Sequence, residues 1–490
     1  MAGGEVTTNG NSWHVQRRRR WRRSAAALAA SCALATAGGC GAAAPHMPAA
    51  AAVSFPDTPA GRQARWLVSA AAHPPIPASQ ITAHLDQAFL AKVTPAGLDS
   101  TLVLFKGIHL DSVAASTPDD VVFIATASQV TKVKIGVSVD ARGLISGLEL
   151  QPAGNSPSAP TAPVPPLPVP ATWAGVDTNI RSVAPAVRFL AASVTASGCT
   201  PIQGIDANTP APLGSSFKLY VLDALAAAIA AGKVSWNQQL TITSQVKSGG
   251  SGILRADPDG TRLAVQQVAS DMIAVSDNTA ADMLIGLLGR AAVEKATRTS
   301  GIADPALDVP FLTTREQFIL KLDDWPKLAD RYLALGPAGR ARFLAQTVDH
   351  IQLGLNTPAW TQPRDINSIE WFASPADICR LYASLAGLAR QPKLAPVASI
   401  LARNPGAMGL SVPGGLGLSP RQWQSVWYKG GSEPGVMTLN YLATTRTGRT
   451  YVVSVLTENP SRPLPAQAQA TLNNAIKGAF ELAALSAPAT

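Results

Sequence analysis

The chain has 490 residues, 47% of them hydrophobic and 14% charged; single cores stop growing near ~250–300 residues, so this length calls for two folded domains. Its formal charge of +9 would suit a nucleic-acid partner, but Arg17 to Arg20, Arg22, Arg23 and the single acid Glu5 sit in the first 39 residues, and the rest carries 34 basic against 30 acidic side chains. A remaining balance of +4 excludes nucleic acid as an electrostatically captured partner.

The arginine run leads into "SAAALAASCALATAGGC", an apolar stretch too short to span a bilayer that ends in small residues. This is the layout of a secretory signal peptide, not of a transmembrane helix. The ending "AGGC" resembles a bacterial lipobox, with Ala37 where a leucine is usual. The expectation is a signal peptide over 1–39, lipidation of Cys40, and a small-residue tether over 40–54; cleavage after Ala35 to Ala37 is the alternative. The protein is then exported and held on the outer face of the cell membrane by its lipid, by either the general secretory or the twin-arginine route.

Residues 55–152 read as helices followed by strands. "TPAGRQARWLVSAAA" and "ITAHLDQAFLAKV" have apolar residues at helical spacing, while "DVVFIATAS", "TKVKIGVSVD" and "GLISGLELQP" alternate as half-buried strands, the last two joined by the turn "DARG". Helices on one face of a curved antiparallel sheet make a small α+β domain, similar to NTF2 or cystatin-type modules. No catalytic set assembles here, and His84 and His109 are expected on ordinary surfaces.

The stretch "PAGNSPSAPTAPVPPLPVPATW" has prolines that fix φ and remove donors, which predicts an extended linker over 153–174 and a domain boundary. Beyond it, "NIRSVAPAVRFLAASV" reads as a helix despite Pro185, "CTPIQGID" as a strand, and "SSFKLYVLDALAAAIAAGK" as a helix apolar all round and therefore buried. At the far end "SVWYKGG", "MTLNYLAT" and "TYVVSVLTE" are strands, and "AQAQATLNNAIKGAFELAAL" is a closing helix. Terminal helices flanking an antiparallel sheet, with an all-helical part between, predict an α/β sandwich over 175–490, and the whole chain an α+β multi-domain protein.

Three short motifs in this second domain carry chemistry. In "GSSFKLYV", Ser215 and Lys218 are three apart at the start of a buried helix, which puts a nucleophile and a base on one face. The positive, desolvated helix end lowers the lysine pKa and points N–H groups at a developing oxyanion. In "MIAVSDNTAADMLIGLLGR", the Ser276 hydroxyl can relay a proton and the Asn278 amide can hold a substrate carbonyl while fixing the lysine; read alone, Ser276, Asp277 and Asn278 are a helix cap. In "WYKGGSEPG", Lys429 offers a cation to a substrate carboxylate, and Gly430 and Gly431 let substrate lie along the strand edge. After the linker the only histidine is His350, which leaves a histidine-rich zinc site without ligands and a Ser-His-Asp triad with a single candidate, so lysine is the expected base. No cofactor or metal is expected.

The order Ser-x-x-Lys, Ser-Asp-Asn, Lys-Gly-Gly resembles the signature of class A β-lactamases and penicillin-binding proteins. The likeness includes "GILRADPDGTRLAVQQVASDMIAVSDNTA" and covers residues 175–490. With "PFLTTREQF" and "EWFASPADICR", the two-domain lipoprotein plan resembles actinobacterial LpqF-type lipoproteins, and is similar to the two-domain β-lactamase-like protein of clavulanic acid pathways. The resemblance implies Ser215 as acylated nucleophile, Lys218 as base, Ser276 as proton relay, Asn278 as substrate ligand and Lys429 as anchor, with the oxyanion between the N–H groups of Ser215 and Ser432.

Two departures bear on activity. Gly430 stands where the family has Thr or Ser, removing a hydroxyl that helps to bind a β-lactam carboxylate. Glu316 lies where class A enzymes place the glutamate that releases the acyl group, yet Thr313 to Glu316 has capping-box spacing, and Leu320 replaces the downstream asparagine; the cap is the favoured reading. Cys199 and Cys379 are either a disulfide or two buried thiols. The expected function is an acyl-serine hydrolase, monomeric, acting on β-lactams with slow turnover or on small esters or amides. D,D-peptidase action on peptidoglycan stems and a non-catalytic envelope-binding role are the alternatives.

Overall fold

A computed structural model describes residues 53–90, 95–102, 105–127, 130–152, 167–354, 359–403, 416–419 and 421–485. The signal peptide, Cys40, most of the tether and the proline-rich stretch up to residue 166 lie outside the described residues. Among the described residues, no helix is long and apolar enough to cross a membrane.

The first part begins with helices α1 (Pro59–Ala72), α2 (Ala78–His84), α3 (Gln87–Leu90) and α4 (Pro95–Leu102), followed by strands β1 (His109–Ser116), β2 (Asp120–Ala127), β3 (Val130–Val139) and β4 (Ile145–Pro152). The strands form one antiparallel sheet in the order β1-β2-β3-β4. Alternation along β2 buries Val121, Phe123, Ala125 and Ala127, and these pack with Leu67 of α1 and Ile81 of α2 into a core of their own. In the turn "DARG" the Asp140 carboxylate accepts from the N–H groups of Arg142 and Leu144, both at 2.9 Å, and Gly143 takes φ 76°. Two details differ from the sequence expectation. Strand β1 lacks a clean alternation because its pairing with β2 is irregular between Leu110 and Ser112 and again between Val113 and Ala115, so that only Leu110 and Val113 pack against the core, and His84 is half-buried, stacked on Trp66 with ring centroids 3.9 Å apart.

The second part opens with α5 (Trp173–Arg181), capped by Thr172. The expected helix through Pro185 does not exist: α5 stops at Arg181, and Ala186–Thr195 is strand β5. Proline has no N–H to give and its ring collides with a preceding helical turn; past it, "AVRFLAASV" alternates between two buried faces. Next come β6 (Gly198–Ile205), the short β7 (Ala211–Pro212) and, after a 3₁₀ turn over Gly214–Phe217, helix α6 (Lys218–Ala230). The middle is helical apart from the two-residue to three-residue strands β8 (Gln239–Thr241), β9 (Arg262–Ala264) and β10 (Phe372–Ala373). Its helices are α7 (Val265–Ala274), α8 (Asn278–Leu288), α9 (Arg290–Thr299), α10 (Thr314–Leu322), α11 (Lys327–Leu333), α12 (Pro337–Gln346), α13 (Pro375–Leu388) and α14 (Pro396–Leu401). Strands β11 (Trp423–Glu433), β12 (Val436–Thr445) and β13 (Thr450–Glu458) and helix α15 (Ala468–Leu485) complete it.

The main sheet runs β11-β12-β13-β5-β6, antiparallel throughout. Successive residues face opposite sides. Phe189, Tyr441 and Val453 face α5 and α15, where Ile180, Ile476 and Phe480 cover them. Leu190, Leu442 and Val452 face the helical part, with Leu222 and Leu225 of α6 and Leu381 of α13. Cys199 of β6 and Cys379 of α13 are disulfide-bonded, their Cα atoms 6.3 Å apart. The bond ties the sheet edge to a core helix, resolving the alternative left by the sequence.

Candidate active site

Helix α6 is apolar on every side, so its first turn is drawn into the core with whatever polar groups it carries. Ser216, Phe217 and Lys218 are buried, and Ser215 alone of this turn is half-exposed. Three-residue spacing brings Lys218 Nζ to 2.8 Å from Ser215 Oγ. The same Nζ donates to Asn278 Oδ1 at 2.6 Å and to the Ser276 carbonyl at 2.9 Å, and lies 3.3 Å from Ser276 Oγ. Burial lowers the Lys218 pKa to about 7, against the opposing pull of the Asp277, Asp282 and Glu370 charges.

Ser276 holds its position at a conformational cost. Its φ of 56° is in the left-handed region that a residue with a Cβ avoids. The turn is held from below: Asp277 caps α8 through Ala280 N–H at 2.8 Å, and its other oxygen accepts from Ile253 and Leu254 N–H at 2.6 and 2.9 Å. Gly252, at φ 114°, lies where a Cβ would run into the Asp277 carboxyl. Asn278 Nδ2 donates to the Gly249 carbonyl at 2.8 Å, which aims Oδ1 at Lys218. The Ser276 hydroxyl thus lies between two lysines, with Lys429 Nζ 2.9 Å away. Lys429 also donates to its neighbour's carbonyl, Gly430 O, at 2.7 Å, and burial and the nearby Lys218 charge hold its pKa well below the usual lysine range.

The nucleophile turn and the edge of β11 touch backbone to backbone. A Cβ on Gly214 (φ 51°) would lie 2.8 Å from Ser432 N, and one on Gly431 would lie 2.5 Å from Ser215 N and overlap the Leu213 carbonyl. Glycine is therefore required at both positions, and the close approach sets the backbone of Ser215 beside that of Ser432. Gly430 has a different reason to lack a side chain. A Cβ there would overlap the Tyr428 hydroxyl, whose ring packs on Tyr441 with centroids 4.5 Å apart. The room for a Thr or Ser side chain is occupied by a phenol two residues earlier on the same face.

Sequence reasoning missed the polar pins behind this turn. Ser216 Oγ meets Thr438 Oγ1 at 2.7 Å and accepts from Asn440 Nδ2 at 2.9 Å, Asn440 Oδ1 accepts from Ser454 at 2.6 Å, and Thr438 donates to the Leu213 carbonyl at 2.8 Å. All four are buried. Glu370 Oε2 accepts the Gly214 N–H at 3.1 Å. The only sequence signal was polar side chains at inward positions of β12 and β13.

Glu316 is not brought to the cluster. Its Oε2 accepts from Thr313 N–H at 2.7 Å and Thr313 Oγ1 at 2.9 Å, completing a capping box on α10. Arg290 takes both oxygens, at 2.6 Å to Oε1 and 3.2 Å to Oε2. The carboxylate is therefore held by a cap and an ion pair. Among the described residues, no group of three or more His, Cys, Asp and Glu side chains is arranged to hold a metal ion.

The five-stranded antiparallel sheet between helices, with a serine and a buried lysine on the first turn of the core helix, defines a β-lactamase-like α+β protein. The chain belongs to the β-lactamase enzyme family, whose model matches residues 194–478, more than half its length. Residues 55–145 match a second family, described as the N-terminal part of an ORF 12 gene product. No curated protein matches. Solved structures similar to this chain include the β-lactamase from Sphaerobacter thermophilus DSM 20745, with 19% identity, 65% of this chain and 100% of that chain covered, and a TM-score of 0.45. They also include a point mutant of PBP-A as an acyl-enzyme complex with penicillin G (15%, 65% and 99% covered, 0.44) and a β-lactamase from Chitinophaga pinensis DSM 2588 (18%, 63% and 97% covered, 0.44).

Proposed function

We propose that the protein is a serine hydrolase that forms an acyl-enzyme on Ser215, acting on β-lactams with slow turnover and on small esters or amides. The observation that carries this reading is the buried Lys218 Nζ, 2.8 Å from Ser215 Oγ with its pKa lowered to about 7. Neutral Lys218 accepts the Ser215 proton as Oγ bonds to the substrate carbonyl carbon. The carbonyl oxygen becomes an oxyanion between the Ser215 and Ser432 N–H groups. When the tetrahedral species collapses, the leaving nitrogen takes a proton through the Ser276 hydroxyl, which Lys218 reprotonates, and Lys429 faces the substrate carboxylate. Asn278 chiefly orients Lys218, since its Oδ1 and one amide hydrogen are engaged within the protein. Release of the acyl group needs an activated water, and the bonds on Glu316 leave no carboxylate assigned to that step. Mixing with a penicillin or a chromogenic cephalosporin should give a long-lived adduct by intact-protein mass spectrometry, absent in Ser215→Ala. Rapid hydrolysis lost on Glu316→Gln would overturn this assignment; cleavage of a D-Ala-D-Ala stem peptide without β-lactam turnover would make it a D,D-peptidase.

The surroundings follow from the same reading. The protein is an exported monomer, lipidated at Cys40, with an NTF2/cystatin-like domain over 55–152 joined by a proline-rich linker to the hydrolase domain over 175–490. Helices beside a four-stranded antiparallel sheet support the first assignment. Cys40→Ala should release the protein from membranes, and limited proteolysis should cut near residues 153–172 to leave two stable fragments.

A further inference from the structure

Helix α10 holds the chain on both sides of the place where the Ser215 and Ser432 backbones meet. Gln317 and Lys321 are four residues apart on it and so share a face. Gln317 Nε2 donates to Glu370 Oε1 at 2.9 Å, and the other oxygen of that carboxyl accepts from the N–H groups of Gly214 at 3.1 Å and Trp371 at 3.0 Å. One turn on, Lys321 Nζ donates to both oxygens of Glu433 at 2.7 and 2.8 Å, and Trp360 Nε1 adds a bond of 3.0 Å. Gly214 is the residue before Ser215, and Glu433 is the residue after Ser432. Strand geometry puts the second arm in register with the site. Lys429, Gly431 and Glu433 face one side of β11: the first is bonded to Ser276, the second has no side chain and receives the nucleophile turn, and the third is drawn to α10. The helix is tied to the Asn278 end as well, since Asp282 of α8 accepts from Thr314 and Arg315 N–H at 2.7 and 2.8 Å and Thr314 Oγ1 donates to the Asn278 carbonyl at 3.2 Å.

We propose that α10 is a clamp that sets the spacing of the two oxyanion donors, Gln317 acting through Glu370 on the Ser215 side and Lys321 acting through Glu433 on the Ser432 side, so that all four are positioning residues. The inference rests on the acyl-serine reading above. Backbone N–H groups have no rotamers with which to seek an oxygen, and their separation is whatever the two chain segments are held to. β11 is an edge strand, paired only with β12, so its end needs an anchor from outside the sheet. A buried ion pair adds little stability beyond an apolar pair of equal volume, but three short bonds on the Glu433 carboxylate leave the strand end one position. Stabilisation of an oxyanion depends on donors that are in place before the charge develops, and a misplacement of about 1 Å can cost ~10²-fold in rate.

The experiment is the burst of nitrophenol released from a neutral nitrophenyl ester by the whole protein, measured beside the affinity for phenylboronic acid, whose boron takes Ser215 Oγ and sets an oxygen where the oxyanion forms. Two variants open the clamp: Gln317→Ala, and Lys321→Met together with Glu433→Gln, which removes the ion pair without leaving a lone buried charge. Each should slow the burst at saturating ester by about 10–100-fold and weaken the boronic acid by a similar factor, with the ester concentration at half-saturation unchanged. Thr313→Ala is the control, because it loosens the start of α10, touches neither arm and should keep both values. Wild-type burst rates and boronic acid affinities in both clamp variants overturn the proposal. An equal loss in Thr313→Ala also overturns it, since the effect would then be one of helix stability. Should the paired variant fail to fold, Gln317→Ala decides by the same two measurements. A wild type that gives no burst and no adduct on Ser215 sinks the acyl-serine reading and the clamp with it; a wild type that reacts, with variants that match it, sinks the clamp alone.

Discussion

Helices α8 and α10 begin in the same way and serve different ends. Each starts with a short hydroxyl residue and an acid: Ser276 and Asp277 before α8, Thr313 and Glu316 around the first turn of α10. On α10 the hydroxyl and the acid bind each other's backbone, and Arg290 takes what is left of the carboxylate. On α8 the acid alone caps the helix, and the serine is forced to positive φ with its hydroxyl between Lys218 and Lys429. The difference is one of unspent bonding capacity. A cap whose hydroxyl is used up stabilises a helix, and a cap whose hydroxyl points away, at a cost in backbone strain, has something left for chemistry.

The most direct way to break this contrast is at the base. Lys218→Ala should lower acylation by ~10²–10⁴-fold, because among the described residues no histidine bonds to the cluster to take the proton; unchanged labelling with a fluorescent penicillin would remove α8 and α6 from the chemistry. Next comes pH. With the Lys218 pKa at about 7, the acylation rate should climb through that pH as the free base appears. Stability should move the same way: a lysine whose folded pKa lies below its unfolded value is penalised fully below about 7, and the penalty lifts as pH rises toward 10.5. A pH series of urea midpoints that is flatter in Lys218→Met checks the sign. Ser276→Ala should cut acylation by ~10²-fold or more while leaving the thermal midpoint within a few degrees. Glu316→Gln should do the reverse, costing about 1–3 kcal/mol through the loss of a buried ion pair and part of a cap, with acylation within a factor of a few. Thr313→Ala should cost about 1 kcal/mol by urea denaturation and leave acylation alone. Loss of acylation in either α10 variant would erase the distinction between the two helix starts.

How far the sequence could be read follows from how local each feature is. Ser215, in the 3₁₀ turn that leads into α6, and Lys218, its first residue, are three apart ahead of a helix with no polar face, so their meeting follows from three residues and a hydrophobic pattern. The pattern of "VWYKGG", "MTLNYLAT" and "TYVVSVLTE" sufficed for three strands, since each is apolar over most of its length. Pro185 ends the helical pattern that its apolar neighbours suggest, and the irregular pairing of β1 breaks the alternation that marks a strand. The rest is a matter of distance along the chain. Glu370 reaches Gly214 across 156 residues and Lys321 reaches Glu433 across 112; nothing in the flanking residues of either acid shows where the chain will return. The disulfide closes over a separation of 180, and only the fold can supply that meeting.

The crowding of Gly430 by Tyr428 also constrains how this cleft can change over generations. A lineage that would benefit from a hydroxyl on β11 cannot acquire it in one substitution, because Gly430→Thr or Gly430→Ser collides with the phenol while Tyr428 remains. Tyr428 must shrink and the Thr438 carbonyl, 2.9 Å from the added Cβ, must give way as well, and losing the phenol alone empties a ring packed against Tyr441 in the core shared with α5 and α15. Any route to the hydroxyl therefore passes through a less stable intermediate. Selection for β-lactam resistance acting on this chain should therefore recover changes at other positions before it recovers the hydroxyl at 430.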